Sequence, residues 1–150
     1  MNAASAAPRR NTLRVMLSIP VFALIYPFAI DLFEGEAAQV VFGAVLGMAY
    51  GYTVGYVTPG RSKLFYVVVA CTVGLAAWAA TLLYVTVLYT GAPLLGIWFF
   101  RFGVATALLF AGGALVGDLV QRRKFSLTSG ALAAGIALAG LIVSILQLLD

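Results

Sequence analysis

The chain alternates between long apolar runs and short polar breaks. Apolar residues dominate near 13–33, 37–58, 64–90, 95–120 and 127–149. The breaks are the acidic segment 34–36, the Pro59-Gly60 step, the Gly91–Pro93 segment and the basic segment 121–124. A helix rises about 1.5 Å per residue, so each run is long enough, or nearly so, to cross about 30 Å of hydrocarbon. The pattern predicts an all-α, polytopic transmembrane bundle of about five helices. Residues 1–12 then form a short basic tail, and 13–150 form a single transmembrane domain.

Composition and charge support this interpretation. Hydrophobic residues make up 63% of the chain and charged residues 9%, against about 25% charged residues in soluble domains. Eight of the nine basic residues fall in the N-terminal segment, the 59–63 loop and the 121–124 loop. Cytoplasmic loops carry such an excess, which predicts the N-terminus inside and the C-terminus outside. We therefore expect a multi-pass membrane protein, located in the cytoplasmic membrane if the source is a prokaryote.

The residue types that the sequence lacks limit the kinds of chemistry it could perform. The chain has no histidine and one cysteine, Cys71, so an intrachain disulfide is impossible and the commonest metal ligand is absent. No phosphate loop, paired carboxylates within one span, or nucleophile beside a base is present. We expect no catalytic residue, metal or cofactor, and hence no enzyme. The basic clusters form no polar face for nucleic acid, so membrane lipid is the expected partner.

The second predicted helix carries glycines at a period of four. Gly43, Gly47, Gly51 and Gly55 lie on one ridge, and small residues at this spacing let two membrane helices approach closely. This ridge is the predicted helix-packing interface. Its partner is left open between another helix of the chain, for which the third helix is a candidate, and a second copy. Other stripes of small residues lie on the third helix (Ala70, Gly74, Ala77, Thr81), on the fourth (Gly103, Ala107, Ala111; Gly113, Gly117) and on the fifth (Ala133, Ala137, Gly140, Ser144).

The first helix contains Pro20 and Pro27, seven residues apart and so on nearly the same face. Each proline lacks an amide and frees a carbonyl four residues earlier. The pair is a candidate hinge, as in the broken helices of transporters. The alternative is that the helix simply bends, since membrane helices tolerate proline.

Three charges are candidate functional or anchoring groups. Asp31 is expected at the outer boundary and Asp118 near the inner one, where an ion pair with Arg122, four residues later, forms easily. Arg101 is expected at the outer interface because an arginine deep in lipid costs about 2.5–3.5 kcal/mol. Trp98, Phe99, Phe100 and Phe102 would surround it as an aromatic belt.

Two function classes follow. The first is a non-catalytic subunit or scaffold that associates, as a homo-oligomer or with other membrane subunits, through glycine-rich helix packing. The second is an oligomeric channel or transporter component for a small solute or ion. A bundle with so few polar groups leaves little room for an aqueous pore in one chain, which favours the first.

Overall fold

The computed structural model describes residues 6–88, 96–123, 126–146 and 149. This part of the chain forms five helices and no strand, as predicted. The helices are α1 (Ala6–Asp31), α2 (Glu36–Val57), α3 (Lys63–Leu88), α4 (Gly96–Arg122) and α5 (Leu127–Leu146). All five contain a segment long and apolar enough to cross a membrane.

The helix ends agree with the apolar pattern except at the N-terminus. α1 begins at Ala6 instead of near residue 13, so helical conformation extends into the segment predicted as a tail. Two alanines favour a helix start here, and a proline is tolerated in the first turn. Parts of the predicted tail and helices lie outside the described residues. These parts are residues 1–5, 89–90, 95, 147–148 and 150.

α4 is the central helix, packed against α2, α3 and α5, while α1 packs mainly against α3. Glycines bring the backbones together at each α4 interface. A Cβ atom built on Gly103 would lie 2.9 Å from the Gly74 carbonyl oxygen of α3. One built on Gly112 would lie 2.9 Å from the Ala137 Cβ of α5. Real Cβ atoms avoid such distances, so both positions require glycine.

The core lies where α1 and α3 meet the α2–α4 pair. Its fully buried members include Val69, Val73 and Phe110. The outward surface is also apolar on every helix, as shown by Leu17, Val45, Val67, Val104 and Leu138. Apolar side chains on both the inside and the outside are compatible with a membrane protein, for which lipid is as apolar as the core.

Candidate functional site

The glycine ridge of α2 (Gly43, Gly47, Gly51 and Gly55) is buried throughout and faces α4 of the same chain. At two positions it meets backbone. A Cβ on Gly51 would overlap the Phe110 carbonyl oxygen, and one on Gly55 would overlap that of Ala114. Along α4, a Cβ on Gly113 would overlap the Met48 carbonyl oxygen. Glycines from both helices therefore alternate along one interface.

The other two ridge positions have no overlap with backbone atoms. A Cβ on Gly47 would lie 3.6 Å from the methyl group and carbonyl oxygen of Thr106, an ordinary van der Waals distance. A Cβ on Gly43 would lie 2.9 Å from the Tyr26 hydroxyl. The ridge is thus tightest in its half near Gly51 and Gly55.

The helix that fills the ridge is α4. The sequence put forward the third helix as a candidate, but its stripe faces elsewhere, because Gly74 packs on Gly103 of α4. The stripe of α5 also reaches α4, since a Cβ on Gly140 would lie 2.8 Å from Leu109 Cγ. α4 presents small residues on several sides and so accepts α2, α3 and α5 together.

The two prolines of α1 have different surroundings. The helix runs continuously through both of them. Pro20 is exposed, whereas Pro27 is buried and lines a crevice near Asp31. Of the candidate hinge, only Pro27 therefore lies beside a crevice.

Asp118 joins a loop to the end of α4. Its side chain pairs with Arg122 at 3.1 Å, the pair that the sequence indicated, and it also accepts a hydrogen bond from the Gly60 amide at 2.6 Å. Gly60 has a φ of +79°, which favours glycine in this turn. Beside this turn, the Tyr66 hydroxyl donates to the Thr58 carbonyl at 2.6 Å. Asp118 thus anchors the α2–α3 turn, a role that its spacing from Arg122 did not reveal.

Asp31 lies at the opposite end of the bundle, called here the acidic end because Glu36 lies there too. Its carboxylate accepts a hydrogen bond from the Tyr84 hydroxyl at 2.7 Å. A crevice of about 290 Å³ opens beside it. Its lining residues are Pro27, Ile30, Asp31, Glu36, Gln39, Val40, Thr81, Tyr84, Val85 and Phe102.

Arg101 is exposed on α4, one residue from Phe102 of this crevice. The predicted aromatic belt is wrong for Phe102, which is only 7% exposed and packs on Tyr26 with ring centroids 5.7 Å apart. Residues 101 and 102 project from different sides of a helix, so one faces outward and the other enters the core. Phe100 is exposed as expected. The side chains of Trp98 and Phe99 lie outside the described part.

Two hydroxyl pairs inside the bundle escaped the sequence analysis. Tyr26 and Thr106 lie 2.8 Å apart in a fully buried position. Each hydroxyl also lies within hydrogen-bond distance of a backbone carbonyl, Thr106 of Phe102 and Tyr26 of Gly43, so either one can donate to the other. Ser18 and Tyr50 form a similar pair at 2.7 Å. The only available signal was a hydroxyl within an apolar run, which does not identify a partner on another helix.

A second crevice, of about 560 Å³, lies between α1 and α2 at the end that holds Arg14, Arg61 and Arg122, called here the basic end. Its lining residues are Asn11, Arg14, Val15, Ser18, Tyr50, Thr53, Val54, Tyr56, Val57, Pro59 and Gln121. Tyr50, which lines this crevice, stacks on Phe22 at 4.3 Å. The ring contacts continue through Tyr26 to Phe102, which lines the first crevice. The two crevices therefore open at opposite ends of a packed aromatic layer.

Within the described residues, no group of three or more cysteine and acidic side chains is placed to hold a metal ion. The chain matches no protein-family model, no curated protein and no solved structure. Any statement on function must therefore come from its own geometry.

Proposed function

We propose that this chain is a non-catalytic multi-pass membrane subunit, with its N-terminus inside and its C-terminus outside. The observation that carries the proposal is the distribution of polarity. The outward faces of the spans are apolar, and the described charges gather at the two ends. The basic end carries most of the positive charge and corresponds to the cytoplasmic side under the positive-inside rule.

The bonding of the buried polar groups favours a structural role over a catalytic one. Four buried serine and threonine hydroxyls each donate a hydrogen bond to the backbone carbonyl four residues earlier. The pairs are Thr58 to Val54, Thr81 to Ala77, Thr106 to Phe102 and Ser144 to Gly140. A hydroxyl whose hydrogen is committed in this way is poorly placed to act as a nucleophile. We therefore assign these hydroxyls a structural role in the interior of the bundle and not a catalytic one.

The glycine ridge acts inside the subunit. Because α4 already occupies it, association with a second copy or with other membrane subunits has to use the lipid-facing helix surfaces. The ridge variants should therefore change the stability of the subunit and leave the stoichiometry of the folded protein unchanged. Of the two partners that the sequence left open for the ridge, this proposal takes another helix of the same chain.

Native mass spectrometry after gentle extraction from the native membrane tests this proposal. We expect a multiple of 15.8 kDa or co-release of other membrane chains. A strictly monomeric species without partners, released from intact lipid nanodiscs, would contradict the subunit role. Gly47→Ala serves as the matched ridge variant, since it is expected to fold and to keep the same stoichiometry.

The two end crevices favour a second candidate, a carrier for a small solute or ion. Pro27 lines the acidic-end crevice, and aromatic rings in contact with one another separate that crevice from the basic-end one. Passage would require α1 to move relative to α2 and α4. Purified protein in liposomes should then support solute flux that Pro27→Ala reduces, with Pro20→Ala as the control on the same helix. A folded protein without flux under any applied gradient eliminates this candidate.

A further inference from the structure

The basic-end crevice combines a cationic side chain and a supply of hydrogen-bond donors. Arg14 lines it and makes no hydrogen bond or ion pair with the part of the chain that the structure describes. Its guanidinium carries five N–H donors in a fork that matches a phosphate. Two charged neighbours at this end are already engaged, since Arg61 donates to Thr12 at 2.5 Å and Arg122 pairs with Asp118. Arg14 is therefore the charged residue of the crevice wall that an incoming anion would meet.

Two amides lie at the same mouth. Asn11 donates one amide hydrogen to the Val57 carbonyl at 3.0 Å, which leaves its second hydrogen available. The Gln121 side chain is exposed and lines the crevice from α4. None of the described lining residues is acidic, and Asp118, the nearby carboxylate, is held by Arg122 and Gly60. The mouth therefore offers donors and a positive charge, without a competing carboxylate.

Deeper in the crevice the surface changes character. The Ser18 hydroxyl donates to the Val15 carbonyl at 2.8 Å, and the Thr53 hydroxyl donates to the Ala49 carbonyl at 2.9 Å. With these hydrogens committed, the wall beyond the mouth offers mainly apolar surface. A polar, cationic mouth above an apolar groove suits a molecule with an anionic head and a hydrocarbon tail.

We infer that the basic-end crevice binds an anionic phospholipid, with its phosphate on Arg14 and an acyl chain along the groove between α1 and α2. Its volume of about 560 Å³ is within the range of about 300–1,000 Å³ that ligand pockets span. Basic pockets between membrane helices on the cytoplasmic side bind anionic head groups. The inference rests on the proposed membrane location of the chain.

The experiment is native mass spectrometry of the purified protein titrated with phosphatidylglycerol or with phosphatidylcholine of the same acyl chains. We expect retention of phosphatidylglycerol in preference to phosphatidylcholine. Arg14→Gln should weaken phosphatidylglycerol binding about fivefold, the equivalent of one arginine at a charged membrane surface. Arg101→Gln is the matched control, because it removes the same charge from an exposed position at the other end and should leave binding unchanged. A large excess of inorganic phosphate should not displace the lipid.

Equal retention of the two lipids, or equal losses in the two arginine variants, would overturn the inference. Displacement by inorganic phosphate would overturn the assignment to a lipid. Circular dichroism and size-exclusion profiles establish that each variant is folded. A carbonate wash of the membranes, before any lipid is added, tests the membrane location separately. Release of the protein by this wash would contradict the membrane location itself.

Discussion

Adding one methyl group at Gly51 should destabilise the bundle, whereas the same change at Gly47 should not. Both residues lie on the buried ridge of α2, one helical turn apart, and both lose the flexibility of glycine on substitution. They differ in what the new methyl group meets on α4. The pair therefore isolates the effect of backbone contact from the effect of helix propensity.

The magnitude follows from the distances. A Cβ at Gly51 would lie 2.8 Å from two Phe110 backbone carbons and would overlap the carbonyl oxygen, whereas ordinary contacts begin at 3.4 Å. The helices must separate by at least about 0.6 Å, and overpacking of this kind costs about 1–3 kcal/mol. At Gly47 the nearest atoms lie 3.6–3.8 Å away. There only the helix-propensity gain of about 0.5–1 kcal/mol remains.

Equilibrium unfolding in mixed micelles, followed by far-UV circular dichroism, measures both variants under the same conditions. We expect Gly51→Ala to unfold at a lower fraction of denaturing detergent than the wild type. Gly47→Ala should unfold at the same or a higher fraction. Equal destabilisation of the two variants, or a stable Gly51→Ala protein, would refute the close approach of α2 and α4 at Phe110.

Two further predictions concern polar contacts. Asp118→Leu leaves the Gly60 amide without its acceptor and should lower the free energy of unfolding by about 1–3 kcal/mol. Asp118→Asn keeps an acceptor oxygen and should lower it by less. Equal losses in the two variants would contradict the anchoring of the turn. Tyr26→Phe removes the hydroxyl that bonds to Thr106 and should cost about 0.6–1.7 kcal/mol, the range of hydrogen bonds between membrane helices. Combined with Thr106→Val, it should cost less than the sum of the two single changes, and strict additivity in the same unfolding assay would exclude a direct bond.

The helices were predictable from the sequence because hydrophobicity over twenty or more residues is a strong local signal. Their ends were predicted to within a few residues where a polar or Pro-Gly segment interrupts the apolar run. The start of α1 was not, because the pattern marks where a helix becomes apolar and not where helical conformation begins. Ala6 to Thr12 are helical without being part of the apolar run.

The packing partners were beyond the reach of the sequence. Stripes of small residues occur on several helices, and their spacing identifies a face but not the helix that covers it. Phe102 illustrates the same limit, since an aromatic residue beside Arg101 suited an interfacial belt and yet enters the core against Tyr26. The Tyr26–Thr106 bond joins residues eighty positions apart, and no periodicity encodes such a pairing.

The sequence indicated only part of the contacts that the candidate charges make. The ion pair between Asp118 and Arg122 follows from helical spacing. The hydrogen bond from the Gly60 amide to Asp118 depends instead on how the α2–α3 turn packs against α4. Arg14 looked like one member of a basic flank. Only the fold shows that Arg14 lines a crevice between α1 and α2.

The side of the membrane on which each terminus lies tests the central claim most directly. The proposed five crossings would place the two termini on opposite sides, and the proposed orientation has the N-terminus in the cytoplasm. Intact cells or right-side-out vesicles that carry a tag at either end, treated with an impermeant protease, should lose the C-terminal tag and keep the N-terminal one. Protection or loss of both tags would contradict a five-span protein, and loss of the N-terminal tag alone would contradict its orientation.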